Sequence, residues 1–231
     1  MKKLRIQPLS LTWWGMMIGS ILYAAFLSRY PQHMRAAGIF SIIFFILYKY
    51  ALYKTPDFAF NIWDELPLAF CNINGFYFTY GVFTGNQVFL SYCLLLETVA
   101  TLMALLMPIS GWGFEDALLF SGRGLGFYGY HFVLLAQGLS ILPSGIFHPS
   151  YDLIPKMCLL AACTLIFAHI VNWLLRKKKL DPIANYCYTY GLDTNPVLRA
   201  LKKIVNINCV YLFLLMPVAS LIYLILFAIL I

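Results

Sequence analysis

The feature that most constrains this chain is a series of seven long apolar runs separated by short polar connectors. A helix that crosses a bilayer needs about 20 mostly apolar residues, and each run approaches that length. Hydrophobic residues make up 62% of the chain and charged residues 11%, against about 25% charged residues in soluble domains. We therefore expect an all-α, polytopic integral membrane protein with one domain over residues 1–231 and spans at about 11–28, 36–53, 65–84, 87–107, 124–142, 151–175 and 207–231.

The lysine and arginine residues predict how these spans are oriented. Cytosolic loops of membrane proteins are enriched in both residue types. If the N-terminus is cytosolic, only Arg29, Arg35 and Lys156 of the 16 basic residues lie outside. The pattern predicts an N-in, C-out topology whose cytosolic basic residues are Lys2, Lys3, Arg5, Lys49, Lys54, Arg123, Arg176, Lys177, Lys178, Lys179, Arg199, Lys202 and Lys203.

The net charge of +7 and the six cysteines exclude several other classes of function. The basic residues stand at the ends of the spans, and they form no patch interleaved with aromatic residues that would indicate nucleic-acid binding. The cysteines show no CxxC spacing, so we expect neither a disulfide framework nor a zinc site, and no cofactor. The first apolar run lacks a small-residue cleavage site, so we expect no cleavable signal peptide. In a bacterium such a protein would reside in the cell membrane.

Polar side chains inside the predicted spans are the candidates for function, because lipid solvates them poorly. At about 1.5 Å of rise per residue, Cys71, His131 and His169 each lie roughly 9–10 Å from the cytosolic end of their span. Glu97 falls near the midplane of the bilayer. The full set is Cys71, Asn72, Asn74, Glu97, His131, Gln137, His169 and Asn172.

Each of these candidates also has a structural interpretation. A lone cysteine in an apolar helix more often packs as a small hydrophobe than reacts. Asn72 and Asn74 are most simply interhelical hydrogen-bonding groups, as is the pair formed by His169 and Asn172. Glu97 is either a protonated structural acid or a charge partner.

A Cys–His pair is the chemical hypothesis that best fits the candidates at the cytosolic level. A thiolate attacks an acyl ester while an imidazole takes the proton and later returns it. Apolar surroundings disfavour a thiolate, so Cys71 requires a histidine in contact with it. His131 and His169 share the expected depth, and the depth alone does not decide between them. A metal site built from Cys71, His131 and His169 has no local ligand spacing, and we expect none.

Three short motifs resemble the YwaF-type integral membrane family, which includes vertebrate transmembrane protein 164. They are Leu66-Pro67-Leu68-Ala69-Phe70-Cys71, the run Gly129-Tyr130-His131-Phe132 with Gly138 following, and Asn185-Tyr186 with Asn195-Pro196 downstream. The vertebrate branch is regarded as a lipid acyltransferase, and it is similar to the androgen-induced-gene lipid hydrolases. The resemblance implies that Cys71 accepts the acyl group and that His131 is its base.

The leading functional hypothesis is therefore acyl transfer on a phospholipid or lysophospholipid, or hydrolysis of a lipid ester by the same chemistry. Asn74, His169, Asn172, Glu97 and Asn185 are the candidate supporting or substrate-binding residues. A non-enzymatic transporter or lipid-binding protein with a polar pathway through Glu97 is the alternative, since a midplane carboxyl group suits a proton or cation relay. A partner subunit whose polar residues only join helices is a third. The acyl donor, the acceptor and the oligomeric state stay open.

Overall fold

The computed structural model describes residues 5–55, 60–107, 117–191 and 195–230. The predicted cytosolic residues Lys2 and Lys3, and Ile231 at the predicted end of the last span, lie outside the described residues. The chain forms two compact units. The first comprises Met1–Phe60 and Cys71–His148, and the second comprises Asn61–Phe70 and Pro149–Ile231.

The first unit is built from helices with one short strand pair. Strands β1 (Arg5–Ile6) and β2 (Ala117–Leu118) pair antiparallel, with Arg5 opposite Leu118. A 3₁₀ turn at Pro31–His33 precedes α2, a π-helical turn at Cys93–Glu97 joins α4 to α5, and a second π-helical turn at Gly124–Gly129 leads into α6. The helices are α1 (Leu11–Arg29), α2 (Met34–Tyr53), α3 (Phe70–Thr84), α4 (Gln87–Tyr92), α5 (Thr98–Leu106) and α6 (Tyr130–Ile141), with α3 belonging to this unit from Cys71 onwards.

The second unit contains two long helices and a structured connection between them. Helix α7 (Leu153–Lys177) is the longest in the described chain, at 25 residues. The connection holds a 3₁₀ turn at Tyr186–Tyr188 and the short helix α8 (Pro196–Ile204), whose first turn is capped by the side chain of Asn195. A 3₁₀ turn at Val210–Leu214 then leads into α9 (Leu215–Leu230).

Five helical segments of the described chain are long and apolar enough to cross a membrane, and they confirm that the protein is all-α and multi-pass. They correspond to the first, second, fourth, sixth and seventh predicted spans, at Leu11–Arg29, Pro31–Tyr53, Gln87–Leu106, Leu153–Lys177 and Val210–Ala228. The third and fifth predicted spans are helical but are not among these five. Helix α3, with 15 residues, extends about 23 Å at 1.5 Å per residue.

The predicted start of the third span is wrong by five residues, because α3 begins at Phe70 and not at Glu65. The segment before it forms turns, with the amide of Glu65 bonded to the carbonyl of Asn61 and the amide of Leu68 bonded to the carbonyl of Leu66. Pro67 lies within the second of these turns, three residues before the first residue of α3. Cys71 is thus the second residue of its helix.

Interhelical hydrogen bonds and small residues hold the first unit together. The indole nitrogen of Trp13 donates to the carbonyl of Leu105 at 3.1 Å, which joins α1 to α5. The amide of Gln137 donates to the carbonyl of Ala37 at 2.7 Å, which joins α6 to α2. Gly38 lets α2 approach α3, since a Cβ at this position would lie 3.1 Å from Thr79 Cα. Small residues at helix contacts and polar bonds between helices are typical of membrane proteins.

Candidate functional site

Cys71 lies half-buried in the first turn of α3, against a cluster of aromatic and aliphatic side chains. Its sulfur contacts the side-chain oxygen of Asn72 at 3.6 Å. The ammonium group of Lys49 lies within electrostatic range of the sulfur and stands 5.1 Å from the centre of the Tyr48 ring. The cluster beside Cys71 consists of Phe44, Phe45, Tyr48, Leu52, Tyr130 and Leu134.

The two asparagines that follow Cys71 have different surroundings. Asn72 is buried, and its side-chain oxygen accepts a hydrogen bond from the hydroxyl group of Tyr48 at 2.9 Å. This bond joins α3 to α2, as expected for an interhelical contact. Asn74 is also buried, but within the described chain neither its amide nitrogen nor its amide oxygen has a hydrogen-bond partner. An unsatisfied buried polar group costs about 1–3 kcal/mol, so Asn74 is not explained by interhelical bonding.

Glu97 is the last residue of the π-helical turn between α4 and α5, and it is fully buried. Its nearest electrostatic partner is the Cys93 thiol, four residues earlier in the same turn. Neither carboxyl oxygen makes a hydrogen bond of ordinary geometry to any described residue. The Cys93 thiol points towards the carbonyl of Asn74 at 3.8 Å, which places the turn beside α3. Single π-helical turns are frequent at functional sites.

The side chain of Tyr130 extends from α6 to α3. This side chain is buried, and its hydroxyl oxygen lies where a Cβ of Gly75 would be, so the ring reaches the backbone of α3. Both Cys71 and Glu97 lie within electrostatic range of this hydroxyl group. The hydroxyl group has no hydrogen-bond partner among the described residues. Three helical segments therefore bring together four groups that can donate or accept protons or hydrogen bonds: Cys71, Asn74, Glu97 and Tyr130.

His131 is buried at the start of α6, and one of its nitrogens is held by the backbone. Its Nδ1 lies 2.5 Å from the carbonyl oxygen of Phe127, and the imidazole packs on the Phe127 ring with centroids 4.6 Å apart. A carbonyl oxygen only accepts, so Nδ1 carries the proton and Nε2 carries the lone pair of the neutral ring. No hydrogen bond joins His131 to Cys71 in the part of the chain that the structure describes. The two residues belong to the same unit but hold different partners.

The other predicted supporting residues belong to the second unit, where they organise the connection between α7 and α8. Asn172 donates to the carbonyl of Tyr186 at 2.9 Å and accepts from its amide at 2.8 Å. His169 Nδ1 lies 3.1 Å from the hydroxyl oxygen of Thr189. The side chain of Asn185 donates to the carbonyl of Gly191 at 2.7 Å. These bonds tie the side chains to loop backbone and to Thr189, which favours a structural role for all three residues.

Comparison with known proteins decides the family. The model of the TMEM164 family matches residues 5–231, which is nearly the whole chain. This chain belongs to the TMEM164 family. No curated protein and no solved structure matches it, so the family match stands by itself.

The family assignment and the apolar helices together establish a multi-pass integral membrane protein. They confirm the part of the sequence resemblance that concerns transmembrane protein 164, whereas the YwaF name stays a prediction. Family membership by itself assigns no reaction to Cys71 or His131. Their chemistry is taken up as a proposal below.

Sequence reasoning missed two residues that the structure places beside Cys71. Lys49 was interpreted only as a cytosolic topology signal, although it lies one turn from the end of α2 and within range of the sulfur. Tyr130 was quoted only as a neighbour of His131. The one sequence signal for Tyr130 was Gly75, four residues after Cys71, since a glycine on a helix face leaves room for a bulky side chain from a neighbouring helix.

Proposed function

We propose that this protein is an intramembrane lipid acyltransferase in which Cys71 is the nucleophile and His131 is the general base. The observation that carries the proposal is the position of the Cys71 thiol, half-buried in the first turn of α3 and against an aromatic and aliphatic cluster. Reactive cysteines occur at helix N-termini. The apolar cluster beside Cys71 suits an acyl chain.

The reaction proceeds in two balanced steps. In the first, the Cys71 thiol gives its proton to His131 Nε2 as the sulfur bonds to the acyl carbonyl carbon. The ester C–O bond breaks, and the leaving lysophospholipid oxygen takes the proton back. In the second, the hydroxyl oxygen of a lysophospholipid bonds to the thioester carbonyl carbon while His131 accepts the hydroxyl proton. The C–S bond breaks, and the departing Cys71 sulfur takes that proton from His131. Water in place of the acceptor makes the same site a lipid hydrolase.

The hydrogen bond from His131 Nδ1 to the Phe127 carbonyl supports the role of the imidazole as the base. It fixes the tautomer whose Nε2 can accept a proton. Catalytic histidines are commonly oriented in this way by a hydrogen-bond acceptor at Nδ1. Catalytic hydrogen bonds are often long or absent without substrate and form only in the complex. The proposal therefore places the Cys71–His131 contact in the lipid-bound state.

Intact-mass measurement after incubation with phospholipid vesicles tests the proposal. We expect an acyl adduct that hydroxylamine removes and that disappears in Cys71→Ser. Cys163→Ser is the matched control, because Cys163 is exposed and lies on α7. The Cys163→Ser variant should form the acyl adduct to the same extent as the wild type. If the wild type forms no adduct and the lipid pool does not change, the thioester mechanism is wrong.

The seven-span, N-in/C-out topology and the single domain belong to the same proposal. In the first unit, the β1–β2 pair and the packing of Gly122 on the backbone of Ala51 put β1, the end of α2 and the start of the fifth span on one side. On the opposite side, the Gln87 side chain bonds to the carbonyl of Ile146 and the amide of His148. Both contacts support strict alternation of the spans.

Chemical labelling tests this topology. In a background with the native cysteines replaced, His148→Cys and Arg199→Cys each receive a membrane-impermeant maleimide. We expect labelling of intact cells at position 148 only, and of inverted vesicles at position 199 only. Labelling of both positions from the same side would contradict the crossing of the membrane by the sixth span.

Transport through a polar pathway is the second candidate, and the burial of Glu97 favours it. A fully buried carboxyl group without a hydrogen-bond partner among the described residues is suited to binding and releasing a proton. Proton flux into vesicles that contain the purified protein tests this candidate. Flux that Glu97→Gln abolishes while Cys71→Ser leaves it unchanged would support transport against acyl transfer.

A further inference from the structure

Two buried hydrogen-bond donors next to Cys71 have no partner among the described residues. One is the side-chain amide of Asn74, and the other is the hydroxyl group of Tyr130. Each residue is 1% exposed, so bulk water does not satisfy the donors. Since a buried donor without an acceptor is costly, both groups are suited to receive an acceptor that enters with a ligand.

Both donors lie one helical turn beyond the Cys71 sulfur. Asn74 is three residues after Cys71 on α3, and the Tyr130 hydroxyl group lies against Gly75, which is four residues after it. Positions three and four apart share a helix face, so both donors lie on the face of α3 that carries Cys71. The thiol is within electrostatic range of the Tyr130 hydroxyl group.

Acyl transfer to a thiol needs such donors. When sulfur attacks an ester, the carbonyl oxygen becomes negatively charged, and preorganised donors that face this oxygen supply the largest single part of many rate enhancements. We infer that the amide of Asn74 and the hydroxyl group of Tyr130 form the oxyanion hole for the ester that Cys71 attacks. This inference rests on the proposed function and adds two catalytic residues to it.

The acylation of Cys71 conserves electrons and protons. As the S–C bond forms, the electron pair of the carbonyl π bond moves to the oxygen, which accepts hydrogen bonds from Asn74 and Tyr130. When the tetrahedral intermediate collapses, the pair returns, the ester C–O bond breaks, and the leaving oxygen takes the proton held by His131. Neither donor gives up its proton, so no further reactant is needed.

A conservative substitution at Tyr130 can distinguish hydrogen-bond donation by the hydroxyl group from packing of the ring. Its ring stacks on Phe44 with centroids 6.0 Å apart and contacts the Tyr48 ring at 5.3 Å, so Tyr130→Phe keeps the packed ring and removes only the hydroxyl group. Asn72 provides the contrast, because its oxygen already accepts the hydroxyl group of Tyr48. Asn74→Leu likewise keeps the side-chain volume and removes the donor.

Two reactions of the same thiol test the inference. Acylation of Cys71 by a phospholipid ester passes through an oxyanion, whereas alkylation by iodoacetamide displaces iodide and forms none. We expect Tyr130→Phe and Asn74→Leu each to lower the acylation rate by about 100-fold or more while the alkylation rate stays at the wild-type value. Thr98→Val is the matched control, and its acylation rate should stay at the wild-type value. Thr98 also carries a hydroxyl group without a partner in the described chain, but this group lies against Gly138 and not against Gly75.

The outcomes distinguish this inference from the proposed function. A wild type that forms no Cys71 adduct overturns the proposed function and the oxyanion hole with it. A wild type that is acylated, together with both variants acylated at the same rate, overturns the oxyanion hole alone. Acylation and alkylation that fall in parallel also overturn it, because the variants then disturb the thiol itself.

Discussion

The hydroxyl oxygen of Tyr130 occupies the space that a Cβ of Gly75 would need. This contact lets an aromatic side chain of α6 reach the backbone of α3 one turn beyond Cys71. Gly75 therefore shapes the candidate site, although it carries no functional group. It sets how deeply the Tyr130 hydroxyl group enters the space between the helices.

Substitution of Gly75 by alanine should displace Tyr130. The added methyl group overpacks the contact, and we expect Gly75→Ala to lower the free energy of unfolding by about 1–3 kcal/mol. In the Tyr130→Phe background the same substitution should be nearly neutral, because the clashing oxygen is gone and the ring carbon behind it lies 3.4 Å from the Cβ position. Thermal unfolding in detergent of the two single variants and the double variant measures the coupling.

Gly19→Ala is the control for this cycle. Gly19 lies within α1 with no atom near its Cβ position, so alanine there should stabilise the helix slightly. If Gly75→Ala and Gly19→Ala give the same change in melting temperature, the Tyr130–Gly75 contact has no energetic weight.

Replacement of His131 by glutamine should slow acylation of Cys71. Loss of a general base typically costs about 10²–10⁴-fold in rate, and the acyl adduct measured by mass at early times reports it directly. His169→Gln is the matched comparison, since His169 contacts Thr189 in the second unit and its loss should leave the acylation rate unchanged. A large loss in His169→Gln with none in His131→Gln would make His169 the base.

Replacement of Glu97 by glutamine separates the two candidate functions. Glutamine keeps the shape and stays neutral at every pH. If Glu97 only supports the site, the variant should acylate Cys71 at the wild-type rate, and paired acylation and proton-flux assays on one preparation measure this. Loss of flux with unchanged Cys71 labelling would favour transport, and loss of acylation would show that the Glu97 proton takes part in the chemistry.

The buried hydroxyl group of Tyr186 should stabilise the connection between α7 and α8. It donates to the carbonyl of Trp63 and accepts from the amide of Leu66, the latter at 3.0 Å. We expect Tyr186→Phe to lower the free energy of unfolding at neutral pH by about 1–3 kcal/mol. Chemical unfolding followed by tryptophan fluorescence measures the loss, and Tyr53→Phe, on an exposed side chain, is the control.

The same substitution should change the alkaline stability profile. Burial raises the pKa of Tyr186 above its usual range, so the folded state retains this proton to higher pH than the unfolded chain. The stabilisation is fully present below about pH 10, where unfolded tyrosine begins to ionise, and it is lost as pH rises through the raised pKa. The stability difference between wild type and Tyr186→Phe should therefore narrow above about pH 10. A difference that is constant up to strongly alkaline pH would contradict the buried neutral hydroxyl group.

Sequence pattern predicted the helices better than their ends. The spans near residues 11 and 87 begin where the structure begins them, because Ser10 and Asn86 cap these segments. The third span was extended to Glu65 because hydropathy continues through Leu66 and Leu68. The turns around Pro67 depend on bonds to distant residues such as Tyr186, and a local pattern does not contain them.

The same division applies to the candidate site. The sequence identifies four of the candidates, because a polar side chain in an apolar run is energetically costly and therefore indicates a role. They are Cys71, Asn74, Glu97 and His131. Tyr130 and Lys49 were missed as site residues, because a tyrosine near a span end and a lysine at a cytosolic boundary are ordinary there. Only contacts across α2, α3 and α6 distinguish them.

By itself, the sequence determined that this chain is a multi-pass membrane protein with Cys71, two histidines and a glutamate among the polar groups inside its apolar segments. Local hydropathy decides this, since each segment has to satisfy its backbone within lipid. Only the tertiary structure decided which of these groups share a site, because the rotation of each helix depends on contacts such as Tyr130 with Gly75 and Gln137 with Ala37. Those contacts join residues far apart in the chain, and they place two buried donors without a partner among the described residues one helical turn from Cys71.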